Sequence, residues 1–176
     1  MKKIPTLFKR DLDDMKHVLT EVTPGCEWVS QDEGIATRKY DGTCVKFDGV
    51  HWWARREVKP GKSSPMGFVP VETDENTGKT VGWEPAEQSG FAKFLAEAAE
   101  GESFQAGTYE LCGPKINGNP EGFEHHELVW HGDVKLMDVP RDYDHLRHWL
   151  LSRNYEGIVW HHPDGRMCKL KKRDLA

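Results

Sequence analysis

An α+β fold of antiparallel sheets with flanking helices is what this sequence predicts, on three observations. Stretches with strand character are separated by irregular Gly/Pro-rich segments, and only two segments hold a helical period. Asp48-Gly49 and Asp164-Gly165 lie between strand-like runs, as hairpin turns do. Neither Gly-x-Gly-x-x-Gly nor Gly-x-x-x-x-Gly-Lys-Ser/Thr occurs, so any bound phosphate must be held by side chains rather than by a glycine cradle.

The elements follow in chain order. Residues 35–46 alternate in polarity and meet the Asp48-Gly49 turn, which leads into His51-Trp52-Trp53-Ala54-Arg55; this predicts a hairpin or meander. Residues 59–83 are rich in Gly and Pro and keep no period, which predicts a long loop. Residues 87–100 place Phe91, Phe94, Leu95 and Ala98 on one helical face, with Gly101 as the stop. Residues 107–112 read as a buried strand, 114–126 as a loop and 128–139 as a strand. Residues 142–153 carry Leu146, Trp149 and Leu150 at helical spacing, with Asn154 suited to end the helix. Residues 157–160 and 167–171 flank Pro163-Asp164-Gly165 as a final hairpin. No internal repeat is visible, and the first 30 residues match no motif.

Composition bounds the function. The 176 residues suit a single domain with a substantial core, and 37% hydrophobic with 30% charged content belongs to a folded chain. No apolar run is long enough to cross a bilayer, and the basic start lacks the apolar stretch of a signal peptide. The four cysteines form no Cys-x-x-Cys pair, so a disulfide framework or structural zinc site is not expected and a reducing cytoplasm fits. Adjacent strand residues point to opposite faces, so neither His125-His126 nor His161-His162 makes a chelating pair. A net charge of −5 argues against a protein that coats nucleic acid nonspecifically. It leaves room for a local basic patch, because cations gather from Arg38 to Lys62 and again at Lys169, Lys171, Lys172 and Arg173.

Five positions stand out chemically. Lys39-Tyr40-Asp41-Gly42 puts a lysine where a strand meets a tight turn, which fits either a strand end or a nucleophile. Glu110 interrupts an otherwise apolar strand, as a water-facing edge residue or as a site carboxylate. Glu156 heads the β-branched run Gly157-Ile158-Val159. Lys169 and Lys171 share a strand face, which is unfavourable unless an anion lies between them.

In this order, and with Arg55-Arg56 between the first two, these residues resemble the motif set of the covalent nucleotidyltransferases: DNA ligases, RNA ligases and mRNA capping enzymes. The resemblance runs over about residues 35–174 and implies a nucleotidyltransferase (ATP-grasp-like) fold, with residues 1–176 as a single adenylyltransferase domain. Trp53-Ala54-Arg55-Arg56, Lys59-Pro60-Gly61-Lys62, Gly67-Phe68-Val69-Pro70, Gly82-Trp83, Tyr109-Glu110-Leu111-Cys112-Gly113 and Ile116-Asn117-Gly118-Asn119-Pro120 are similar to small single-domain ATP-dependent RNA ligases. Those enzymes join 5′-phosphate and 3′-hydroxyl ends.

The resemblance implies ATP with Mg2+ or Mn2+ as cofactors and RNA ends as substrate, with no membrane and no obligate protein partner evident. Lys39 would attack the α-phosphorus and carry AMP, and cations at Lys169 and Lys171 would neutralise phosphoryl charge. Glu156 would hold the metal, Glu110 would serve ribose or metal, and Arg55 or Arg56 would grip a phosphate. Asp41 and Gly42 would shape the turn, Thr37 would read the adenine edge, and Trp130 with Ile158 would sandwich the ring. Thr43 and Lys46 both remain open as the polar residue that often follows the first motif. DNA ligases and capping enzymes attach an oligonucleotide-binding barrel after the fifth motif; none follows Lys171 here, which disfavours a DNA ligase or a GTP-dependent capping-type enzyme as the alternative. A non-catalytic nucleotide- or RNA-binding module with the same fold and an unrelated β-rich interaction protein are the other rivals.

Overall fold

Strands make up most of the regular secondary structure in the computed structural model, which describes residues 1–176. Eleven strands form three antiparallel sheets, with three α-helices between them, so the α+β class with mostly β content is observed. The chain divides into two compact units. One comprises Met1–Lys3 and Asp41–His131, the other Ile4–Tyr40 and Gly132–Ala176, and each has its own hydrophobic core. No helix is long and apolar enough to cross a membrane.

The unit of Ile4–Tyr40 and Gly132–Ala176 holds β1 (Phe8–Arg10) paired with β2 (Val18–Val22), and the one-turn helix α1 (Glu27–Ser30). Its three-stranded sheet is built from β3 (Ile35–Lys39) and the hairpin of β10 (Gly157–His161) and β11 (Met167–Lys171), in the order β11-β10-β3. Helix α3 (Tyr143–Leu151) starts on Asp142, whose side chain accepts the His145 amide, and it ends at Ser152 rather than Asn154. Leu146 and Leu150 of α3 join Ala36, Ile158, Trp160 and Leu170 in the core, so one face of this sheet is buried.

The other unit holds six strands in the order β6-β7-β5-β4-β8-β9. Strands β4 (Thr43–Phe47) and β5 (Trp52–Val58) form the hairpin expected at Asp48-Gly49. Asp48 builds that turn by accepting the Val50 and His51 amides and the Trp53 indole N–H. The alternating run 35–46 is two strands in two sheets, because Asp41-Gly42 breaks it. Strand β8 (Gly107–Cys112) matches the expected bounds.

Three expectations are corrected. Residues 59–83 are not one loop: β6 (Val69–Thr73) and β7 (Thr80–Pro85) form there. Pro70 is tolerated because β6 is the edge strand. Gly82 is needed because a Cβ there would lie 2.3 Å from the Val69 carbonyl oxygen, so residues that look like breakers are fitted to the sheet. The helix of 87–100 is shorter, α2 (Ala92–Ala99), preceded by a 3-10 turn at Ala86–Gln88. The strand expected over 128–139 ends at Trp130 as β9 (Glu127–Trp130), because Gly132 at φ +83° turns the chain.

Candidate functional site

Strand register fixes which side chains meet. On the three-stranded sheet Gly157 lies opposite Lys39 on one side and Lys171 on the other, and Val159 lies opposite Thr37 and Lys169. Directly opposed residues share a face, so Lys39, Lys171, Thr37, Val159 and Lys169 occupy the face away from the core. Gly157 is needed between Lys39 and Lys171 because the β11 backbone lies close, and a Cβ there would come within 2.3 Å of the Leu170 carbonyl oxygen. Glu156, one residue before, links the two lysines: its Oε2 lies 2.6 Å from Lys39 Nζ and its Oε1 3.8 Å from Lys171 Nζ. All three side chains are about one-fifth exposed, so the cluster is sheltered but open to a ligand.

Burial lowers the Lys171 amine below the ordinary lysine value; Glu156 opposes the shift, and Lys39 and Arg173 add to it. Asp174, almost fully buried, accepts the Lys171 amide through Oδ2 and the Arg10 guanidinium at 2.8 Å through Oδ1, which anchors the end of β11. The other edge of β11 is covered by residues 5–7, where Lys169 donates its amide to the Pro5 carbonyl. Thr37 is buried and donates its hydroxyl to the Val159 carbonyl at 2.7 Å. Arg38, on the opposite side of β3, stacks between the Tyr40 and Tyr155 rings at 4.5 and 4.6 Å.

The six-stranded unit holds the remaining candidates. Register places Cys44, Lys46, Trp53, Arg55, Trp83, Thr108 and Glu110 on one face. Val45, Ala54, Tyr109 and Leu111 line the other, which packs against α2 through Leu95. Glu110 does not face water at a sheet edge, because β8 lies between β4 and β9. Its Oε1 accepts the Gly42 amide and its Oε2 meets His131 Nε2 at 2.7 Å, while His131 Nδ1 meets the Thr108 hydroxyl. The Asp41-Gly42 turn, which follows Lys39 in the chain, is clamped in the same unit. Glu121 Oε1 accepts the Asp41 amide, and Asn117 donates to Asp41 Oδ1 and to the Gly42 carbonyl. Arg55 lies on the Glu110 face; Arg56 points to the other and lies 3.6 Å from the Glu84 carboxylate.

Two candidates are placed differently from the expectation. Ile158 is fully buried on the core face of its sheet, and the aliphatic side chain on the Lys39 face is Val159. Trp130 lies opposite Tyr109 on the α2 side of its sheet, in edge contact with that ring at 4.9 Å and over Gly107, away from the Glu110 face. Both departures have one cause: side chains alternate along a strand, and each residue lies an odd step from the face it was assigned. His131 and Asp174 were not singled out from sequence. Asn117 lies in the Ile116-Asn117-Gly118-Asn119-Pro120 run, but its tie to Gly42 depends on a fold-back that spacing does not display.

The family model described as RNA ligase 1 matches residues 87–176, slightly more than half of the chain. The chain therefore belongs to the RNA ligase 1 family. A relative named RNA ligase 1 from Danio rerio is 28% identical over 71% of this chain. Those from Pongo abelii and Rattus norvegicus, also named RNA ligase 1, are 36% and 35% identical over 39% of it. The chain spans about half the length of the Danio rerio relative (47%) and about a quarter (24%) of the other two.

Proposed function

We propose that this chain is an ATP-dependent RNA ligase that joins 5′-phosphate and 3′-hydroxyl ends through AMP carried on Lys39. The single observation that supports it best is the Lys39–Glu156–Lys171 cluster, with 2.6 and 3.8 Å contacts on one sheltered sheet face, in a member of the RNA ligase 1 family. A lysine nucleophile acts as the free amine, and Glu156 Oε2, 2.6 Å from Lys39 Nζ, would take its proton. Lys39 Nζ then forms a P–N bond to the α-phosphorus of ATP as the bond to pyrophosphate breaks. Lys171 and Lys169 balance charge on the phosphoryl oxygens. An RNA 5′-phosphate oxygen takes AMP from Lys39, breaking the P–N bond and forming a 5′-5′ pyrophosphate; the 3′-hydroxyl then displaces AMP to form the phosphodiester.

The fit to a divalent cation is tested by the donor set. No group of three or more His, Cys, Asp or Glu could cage an ion, so a metal would rest on Glu156 and on substrate oxygens and waters, the manner Mg2+ favours. Glu110 belongs to the other unit and is proposed to serve ribose or metal, steadied by His131. Bound Mg2+ or Mn2+ would withdraw charge from the reacting phosphate. Incubation with α-labelled ATP and Mg2+, followed by denaturation, tests the reading. The native chain should keep covalent label and Lys39→Ala should keep none; equal labelling of the two, or none of the native chain, defeats the proposal.

A further inference from the structure

We infer that the loop between β5 and β6 carries a second phosphate-binding site, a cradle for the backbone of a single-stranded RNA. The inference rests on the reading above that the chain acts on RNA. Its position is a cavity of about 420 Å3 in the six-stranded unit, lined by Lys59, Lys62, Ser64 and Phe68 with Pro60 and Pro65 among its walls. That volume lies within the range of small-ligand pockets and suits about one nucleotide.

The loop is built, not slack. Lys59-Pro60-Gly61-Lys62 closes as a tight turn in which the Lys62 amide donates to the Lys59 carbonyl at 3.1 Å. Proline stands second in the turn and glycine third at φ +76°, the order a type II turn requires. Pro65-Met66-Gly67-Phe68 is a second tight turn with glycine third, the Phe68 amide donating to the Pro65 carbonyl at 3.1 Å and Gly67 at φ +73°. Pro60 packs on Gly78, Pro85 packs on Gly67, and Gln88 donates to the Met66 carbonyl at 2.7 Å.

The first turn holds two lysines at its ends, within about 7 Å of one another at Cα. Neither has a carboxylate partner, whereas nearby Lys79 pairs with Glu57 at 3.4 Å. Two unneutralised cations at the ends of one short turn repel, and an anion between them lowers that cost. The Phe68 ring and the proline walls add an apolar surface for a sugar or base, and Ser64 adds a hydroxyl. A backbone phosphate with its nucleotide matches both halves of this lining.

The experiment uses the 176-residue chain, the double variant Lys59→Ala/Lys62→Ala and, as a control outside the cavity, Lys93→Ala. Anisotropy of a fluorescent single-stranded RNA is read from 0.05 to 0.5 M salt. Each lost phosphate contact should flatten the slope of log affinity against log salt by ~0.7, so the double variant should lose about 1.4 in slope and on the order of tenfold in affinity at 0.1 M. Lys93→Ala should follow the native curve. Unchanged slope in the double variant, an equal loss in Lys93→Ala, or no salt-dependent binding by the native chain would each overturn the site. AMP labelling at Lys39 is read in parallel with the same proteins. A raised ATP requirement without a change in RNA binding would assign the lysines to nucleotide phosphates and overturn the RNA cradle. RNA binding that depends on Lys59 and Lys62 in a chain that never labels would keep the cradle and reject the ligase reading.

Discussion

Glu156 shows how little a single contact means without its neighbours. A carboxylate at 2.6 Å from one lysine and 3.8 Å from another could be a structural ion pair. Its setting favours a chemical role, because one carboxylate is shared by two lysines that are each about one-fifth exposed and the burial of Lys171 disfavours its charge. If Glu156 takes the Lys39 proton and holds a metal, Glu156→Gln should slow AMP labelling by about 10²-fold or more, the usual weight of a positioned base. Labelling rates at saturating ATP check this, and a rate within a factor of two of native would remove Glu156 from the chemistry. Lys39, Glu156, Lys169 and Lys171 were legible in the sequence as an ordered set resembling the nucleotidyltransferase motifs, and alternation added only that the two C-terminal lysines share a face. Val159 was not legible in place of Ile158, since the choice rests on which face of β10 the core claims.

At the scale of elements, the β4–β5 hairpin shows a local signal surviving into the fold. Asp48 accepts two amides and an indole N–H, and these bonds hold its carboxyl down to about 2. A carboxyl depressed in the folded state contributes stability above its ordinary value of 3.8 and loses that contribution as pH falls through about 2. Native protein should therefore lose stability over the window from about 4 to 2, and Asp48→Ala should flatten that segment of a denaturation-midpoint profile. Identical profiles for the two proteins would show that the turn does not depend on the ionised carboxylate. The β6–β7 pair teaches the opposite lesson. Its Gly and Pro are the residues that predict a loop, and only the edge position of Pro70 and the close approach at Gly82 make them strand residues.

Across the whole chain, two cores rather than one organise the residues. Leu146 is fully buried in the core beneath β3, β10 and β11. Leu146→Ala should cost about 2–5 kcal/mol, the range for deleting a buried leucine, seen as a lower denaturation midpoint. Amide exchange should quicken in β3, β10 and β11, and unchanged protection there would mean that this core does not support the strands carrying Lys39 and Lys171. Composition also acts at this scale. A net charge of −5 makes any RNA contact depend on where the cations lie, which is why a two-lysine turn can matter more than the total.

Turn chemistry and side-chain alternation are local, and they sufficed to mark the α+β class and the hairpins at Asp48-Gly49 and Asp164-Gly165, while the candidate set from Lys39 to Lys171 came from the order of motifs along the chain. Strand pairing is not local. Which strands adjoin, and in which register, depends on contacts between segments far apart in the chain and on the face each core buries. That is why folding alone could turn Ile158 into its core, set Trp130 against Tyr109 and His131 against Glu110, bind Asn117 to the Asp41-Gly42 turn, and close the Lys59–Lys62 turn over a cavity.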